Sequence, residues 1–155
     1  MTDAKYSFLG FLISVSLILN VVAVFTPNWT SQQLDLRFSG VAWLIAASVL
    51  IIAALVLSVL TIAIYFFVYF RIKNDDYSEE LRKWFRIIEL AALLSVISTI
   101  TAIILIARNC SLPYRYYSRN YDPVTLGFSA WLSLIAAVLT LGVLTISEHI
   151  ASEEC

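Results

Sequence analysis

Four long apolar runs occupy most of the 155-residue chain and determine the solvent in which it folds. They contain no Lys, Arg or Asp, and only one contains a Glu. About 20 apolar residues in a helix span the roughly 30 Å hydrocarbon core of a bilayer, whereas a soluble domain of this size cannot bury four such runs. The sequence therefore predicts an all-α integral membrane protein, a four-helix transmembrane bundle. The runs are Ser7–Phe25, Val41–Phe70, Ile87–Ala107 and Val124–Ile146.

The connectors between the runs are short, so the chain is expected to form a single tetraspan membrane domain, residues 1–155. The first run is expected to stay as a transmembrane helix, because the apolar part of a signal peptide usually spans only 7–15 residues. The predicted transmembrane segments are 7–26, 41–70, 87–107 and 124–147. The predicted outer loops are 27–40 and 108–123, and the cytosolic parts are the loop 71–86 and the tail 148–155.

Composition and residue types argue against several function classes. The net charge of −1 and a charged fraction of only 14% predict no nucleic-acid partner, because nothing could neutralise a run of phosphates. The single histidine, His149, lies in the predicted tail, and the sequence shows no metal-ligand cluster, catalytic triad or Gly-rich phosphate loop. We therefore expect no enzymatic activity, cofactor or metal. Cys110 and Cys155 are predicted on opposite sides of the membrane, so no intramolecular disulfide is expected.

Two independent patterns predict which side of the membrane each loop faces. Cytosolic loops carry an excess of Lys and Arg, and the segment 71–86 holds five of these residues, against one in 27–40 and three in 108–123. Two glycosylation sequons begin at Asn28 and Asn109, which the charge pattern places outside the cell or in the lumen. Both termini are therefore predicted to be cytosolic, and Asn28 and Asn109 are candidate N-glycosylation sites.

The segment after the first helix and the second helix each have a distinctive pattern. Thr26-Pro27 ends the first helix, and Trp29 is expected at headgroup depth. Residues 30–40 alternate polar and apolar, which predicts at most a short extracellular β-hairpin. Thirty apolar residues in the second helix span about 45 Å, so this helix must tilt or project beyond the bilayer. Its aromatic end, residues 65–70, fits an interfacial belt or a face for a partner protein.

Few polar residues lie inside the predicted spans. Glu89 is the only ionisable one and fits either a structural ion pair with Arg86, one turn earlier, or a proton or cation site. Asn20 fits a hydrogen bond between helices or a pore lining, and we favour the former. Small residues spaced three or four apart let helix backbones approach closely. The candidate helix-packing residues are Gly10, Ser14, Asn20, Ala91, Ser95, Ser98, Ala102 and Gly142.

The second outer loop is rich in residues that favour binding. Tyr and Arg are the side chains most enriched at binding hot spots, and prolines at both ends of 113–123 restrict its conformations. The alternative is that these side chains only anchor the loop among lipid headgroups. The candidate partner-contact residues are Tyr114, Arg115, Tyr116, Tyr117, Arg119 and Tyr121.

Two short motifs resemble the claudin superfamily, which includes claudins, peripheral myelin proteins and calcium-channel gamma subunits. Pro27-Asn28-Trp29 is similar to the Pro-x-Trp pattern that opens the family's first extracellular segment. Tyr121-Asp122-Pro123, followed by Leu126-Gly127, is similar to the second-loop turn that precedes helix 4. The resemblance implies a four-helix fold with two outer loops, and covers the whole chain in topology.

The first outer loop departs from claudins. It is about a third as long, it has no cysteine, and Gly40-Val41-Ala42-Trp43 stands where claudins carry Gly-Leu-Trp. Because claudins seal and select ions through that loop, we expect instead a non-enzymatic accessory or structural subunit of a larger membrane complex. Two alternatives remain, a self-associating junction or membrane-organising protein and a small oligomeric channel or transporter. The expected partners are the lipid bilayer and a larger integral membrane protein or further copies of the chain.

Overall fold

A computed structural model describes residues 2–26, 29, 42–74, 79–110 and 126–153. Nearly all of them lie in four helices, and the described ranges contain no β-strand. The prediction of an all-α four-helix bundle is confirmed. The short hairpin predicted for residues 30–40 lies outside the described residues. The helices are α1 (Thr2–Phe25), α2 (Ala42–Asn74), α3 (Glu79–Cys110) and α4 (Phe128–Glu153).

All four helices are long and apolar enough to cross a membrane. A helix satisfies its backbone hydrogen bonds internally, which a segment in hydrocarbon requires. The chain is therefore a multi-pass membrane protein whose solvent is the lipid bilayer. Large Leu, Ile, Val and Phe side chains point outward on every helix, as expected for surfaces that face acyl chains. The candidate spans are Lys5–Phe25, Ala42–Lys73, Arg82–Asn109 and Phe128–Ile150.

The helices extend beyond the apolar runs. Most of the segment 71–86, which the sequence predicts as a cytosolic loop, is helical, because α2 continues to Asn74 and α3 begins at Glu79. The 33 residues of α2 measure about 50 Å at 1.5 Å per residue. At the other side, α1 ends where Thr26 turns back, its backbone N–H and its hydroxyl both donating to the Val22 carbonyl.

The helices form a ring in which each packs against two neighbours. Helix α1 contacts α2 and α4, and α3 contacts α2 and α4, with no contact between diagonal helices among the described residues. Successive helices run antiparallel. One end of the bundle, here called the terminal end, therefore holds both chain termini and the short α2–α3 connection. The opposite end, called the loop end, holds the two longer connections between helices.

The interior has three layers along the bundle axis. At the terminal end, buried apolar side chains from all four helices form one cluster, which includes Tyr6, Tyr65 and Phe85. At the loop end, a second cluster surrounds Trp29. Between the two clusters lies a layer of buried hydroxyl and amide side chains, called the polar belt here. Its members are Ser16, Asn20, Ser58, Thr61, Ser95, Thr99 and Thr140.

Candidate functional site

The polar belt joins all four helices by hydrogen bonds at mid-bundle. On α1, the Asn20 amide donates to the Ser58 hydroxyl of α2 at 3.2 Å. The Ser58 and Ser95 hydroxyls lie 3.4 Å apart, which extends the chain of contacts to α3. One turn earlier on α1, Ser16 lies 2.7 Å from Thr140 of α4. These contacts give the belt side chains of Ser16, Asn20, Ser58, Ser95 and Thr140 hydrogen-bond partners, which hydrocarbon cannot provide.

The space inside the polar belt is small. Side chains of Ser16, Ser58, Thr61, Ser95 and Thr140 line a void of about 10 Å³. A single water needs roughly 10–15 Å³ of such space, so the void is at the lower limit for one water. Apolar clusters close it on both sides. In the described part of the chain, the bundle interior therefore offers room for packing and hydrogen bonding but not for a ligand.

The contact between α1 and α2 depends on Gly10. A Cβ atom at this position would lie 2.6 Å from Tyr65 Cζ and 2.8 Å from Tyr65 Cε1, well inside van der Waals contact. The Tyr65 hydroxyl crosses α1 here and donates to the Tyr6 carbonyl at 2.8 Å. Gly142 differs, because the nearest atom to its Cβ would be Leu12 Cδ1 at an ordinary 3.7 Å. Of the two glycines proposed for packing, only Gly10 lies where a side chain has no room.

The other small residues of α3 lie on or near its inner face. Ala91, Ser95 and Ala102 are buried, and Ser98 is half-buried. Ser95 donates to the Ala54 carbonyl of α2 at 3.2 Å, so the two backbones approach closely at this point. Ser14 is different, since its hydroxyl donates to the Gly10 carbonyl of its own helix. The packing role of the whole set remains a prediction.

Trp29 closes the loop end of the bundle. Its side chain is only 1% exposed and lies in a cluster with residues from all four helices. The sequence predicts this ring at headgroup depth. The structure shows that protein side chains surround it, and its depth in the membrane remains a prediction. The indole Nε1 is buried without a hydrogen-bond partner. Small residues make room for the ring, namely Ala23, Ala47, Ala102 and Ala130.

The two sequence motifs meet beside this ring. The Gly127 N–H donates to the Trp29 carbonyl at 2.9 Å, and the Ser129 hydroxyl donates to the Thr26 carbonyl at 2.9 Å. The first bond joins the start of the first outer segment to the entry of α4, although about a hundred residues separate them in sequence. The hydrogen bonds and the buried ring together fix where both outer loops leave the bundle.

A sequence model of the family described as "Tight junction protein, Claudin-like" matches residues 1–155. The chain belongs to this claudin-like family. Neither the comparison with curated proteins nor the comparison with solved structures gave a match. The resemblance seen in the sequence is confirmed, and in this claudin-like protein a hydrogen bond joins Gly127 and Trp29, one residue from each motif that carried it.

Glu89 and Arg86 line one groove on the outside of the bundle, between α3 and α4 near the terminal end. One carboxylate oxygen of Glu89, Oε1, is buried and has no hydrogen-bond partner. Ser147 of α4 faces this carboxylate, but its Oγ also lacks a partner within hydrogen-bond geometry. The ion pair between Arg86 and Glu89 therefore remains a prediction. The structure adds Glu148 and Ser147 as neighbours, which spacing along α3 alone could not show.

Asn109 lies in the last turn of α3, where its side-chain amide donates to the Leu105 carbonyl at 2.8 Å. Glycosylation would attach the sugar to this same nitrogen, Nδ2, and leave it one N–H. Asn28 lies outside the described residues. The proposed contact residues of the second outer loop, 114–121, also lie outside them. Use of the two sequons and contact through this loop remain predictions.

Proposed function

We propose that this claudin-like protein is a non-enzymatic accessory or structural subunit of a larger membrane complex. The observation that carries this proposal is the filled interior. Each belt side chain is bonded either to another belt side chain or to a backbone carbonyl. The void between them is about 10 Å³, and Trp29 and Phe85 are fully buried in the apolar clusters at either side. A bundle with such an interior acts through its outer surface and its loops.

Two surfaces support binding to another membrane protein. The outward side of α2 carries Phe66, Phe67 and Phe70, of which Phe66 and Phe70 stack with ring centres 6.5 Å apart. Rigid aromatic side chains give a large contact area at low entropic cost. The second outer loop, with its tyrosines and arginines, is the other proposed contact surface. Just after this loop, at the entry of α4, the Gly127–Trp29 hydrogen bond holds the backbone.

Crosslinking in native membranes, followed by purification in mild detergent and mass spectrometry, tests this proposal. We expect a stoichiometric complex with a larger integral membrane protein. Changing Tyr116, Tyr117 and Arg119 to Ala should abolish that co-purification. Changing the neighbouring Ser118 and Asn120 to Ala is the matched control and should not. Normal recovery of the partner with the triple variant would assign the contact to the helix surfaces instead.

Self-association at cell junctions is the second candidate, and the family description favours it. It predicts a ladder of crosslinked copies of this chain and accumulation where cells touch. The short first loop, residues 27–40 without cysteine, argues against a claudin-type seal. The same crosslinking experiment separates the two candidates, because a homopolymer contains no second protein.

A further inference from the structure

The groove between α3 and α4 combines charged and apolar walls. It measures about 420 Å³ and is lined by Arg86, Glu89, Leu90, Leu93, Leu144 and Glu148. It opens on the outer surface of the bundle, where Leu90 and Leu93 are exposed. The groove is thus open to the surrounding lipid and separate from the polar belt and from the loop end.

The two kinds of wall lie at different depths. The α3 span begins at Arg82, so Arg86 and Glu89 lie about 6 and 10 Å along the helix axis from its start. Glu148 lies two residues before the end of the α4 span at Ile150. Leu93 and Leu144 lie deeper in the bilayer. The charged part of the groove is therefore near the headgroup boundary, and the apolar part follows the direction of an acyl chain.

The groove is lined by more negative than positive side chains. Two carboxylates, Glu89 and Glu148, share the groove with one guanidinium, that of Arg86. Glu89 Oε1 is buried without a hydrogen-bond partner, and so is the Ser147 hydroxyl, which is completely buried. An ionisable residue at this depth is costly unless it meets a partner of opposite charge. A cationic hydrogen-bond donor would satisfy Glu89 and place a positive group beside the two carboxylates.

We propose that this groove binds an aminophospholipid with a phosphoethanolamine headgroup. The primary ammonium donates to the carboxylates of Glu89 and Glu148, in charge-assisted hydrogen bonds. The phosphate lies beside Arg86, whose planar guanidinium suits phosphate oxygens. An acyl chain packs along Leu90, Leu93 and Leu144.

The same chemistry disfavours other common headgroups. Choline carries a quaternary nitrogen without N–H, so it cannot donate a hydrogen bond to Glu89. A headgroup with phosphate alone brings negative charge to a groove that already holds two carboxylates against one guanidinium. A serine headgroup adds a third carboxylate to the same space. Among these headgroups, the zwitterion with a primary amine alone offers both an N–H donor for the carboxylates and a phosphate for Arg86 without a further carboxylate.

Lipid retention by the purified full chain tests the proposal without changing the protein. Native mass spectrometry in mild detergent would compare added phosphatidylethanolamine, its N,N-dimethyl and N,N,N-trimethyl forms, and phosphatidylserine at matched acyl chains. We expect wild-type protein to retain the primary amine about tenfold better than the trimethyl form, with the dimethyl form between them. Equal retention of the primary amine and the trimethyl form would overturn the proposal.

Two sets of variants locate the site. The double change Glu89→Gln and Glu148→Gln should remove the preference for the primary amine. Leu90→Trp should lower retention of every lipid by filling the groove, whereas Leu94→Trp, on the same helix but outside the groove, should not. A preference that survives both the double change and Leu90→Trp would place the lipid elsewhere. These results do not depend on any protein partner, so a failed partner search would leave them unaffected.

Discussion

At Gly10, the lack of a side chain lets the Tyr65 ring lie against α1. We expect Gly10→Ala to push the ring away, because the added Cβ would meet Cζ at 2.6 Å. The buried Tyr65 ring has little room to move, and its hydrogen bond to the Tyr6 carbonyl would be strained or lost. Overpacking of this kind costs about 1–3 kcal/mol. Thermal unfolding in detergent should show a lower midpoint for the variant.

Gly142→Ala is the matched control. The nearest atom to its new Cβ would be Leu12 Cδ1 at 3.7 Å, and alanine is a better helix former than glycine by about 1 kcal/mol. The unfolding midpoint should therefore stay the same or rise slightly. If both glycine variants behaved alike, the close approach of Tyr65 to α1 would not be a determinant of stability.

Trp29 and Trp131 are the same residue type in opposite environments. Trp29 is 1% exposed and Trp131 is 56% exposed. Truncating a buried Trp typically costs about 3–5 kcal/mol, so Trp29→Ala should strongly destabilise the bundle. Trp131→Ala should change stability much less.

Fluorescence in brominated lipid checks the same point without truncation. In single-tryptophan variants, with the other three tryptophans changed to Phe, brominated acyl chains should quench Trp131 and leave Trp29 bright. Strong quenching of Trp29 would show that its ring contacts lipid, which would contradict the buried position.

At the level of the helices, the polar belt joins α1 by hydrogen bonds to two different helices one turn apart, to α4 at Ser16 and to α2 at Asn20. Asn20→Ala removes the amide that donates to Ser58, and interhelical bonds in membranes contribute about 0.6–1.7 kcal/mol. The free energy of unfolding should fall by about this amount. Ser14→Ala is the control, because the Ser14 hydroxyl bonds only within its own helix. Equal effects of the two changes would show that Asn20 does not join the helices.

Sequence predicts the helices themselves well, for a local reason. The free energy of transfer into hydrocarbon is a sum over consecutive residues. An apolar run therefore indicates a span even when the helices packed against it are unknown. Helix ends depend on more, and Arg71 to Asn74 are helical although they are polar enough to suggest a loop. In this segment a helix satisfies its own backbone bonds even where it leaves the apolar run.

The partners of individual side chains are harder to predict. Asn20 is an obvious polar outlier in the sequence, yet nothing in α1 identifies Ser58 as its acceptor. The rule for membrane tryptophans predicts Trp29 at headgroup depth, but it does not say whether the ring faces lipid or protein. The signal for its burial was available only as scattered alanines, Ala23, Ala47, Ala102 and Ala130, on four different helices. Only the tertiary structure shows that these four alanines belong to one cluster around the ring.

For the whole molecule, we predict that both termini face the cytosol. The five basic residues of the segment 71–86 motivate this orientation, and the even number of spans places both termini on the same side. An epitope tag after Cys155 should be stained only after permeabilisation. A tag inserted between Ser118 and Arg119 is the paired control and should be stained on intact cells. The reverse staining pattern would show that the protein has the opposite orientation in the membrane.

The filled bundle also predicts that a single copy conducts no ions. Any path along its axis would cross the terminal cluster at Phe85 and the loop-end cluster at Trp29, both fully buried, with a void of about 10 Å³ between them. Apolar constrictions exclude water and therefore ions. Liposomes containing the purified protein should leak sodium no faster than protein-free liposomes. Trp29→Ala should not leak either, provided that it folds, because the terminal cluster stays closed. A flux that rises with the square or a higher power of protein density would instead assign the path to an assembly of several copies.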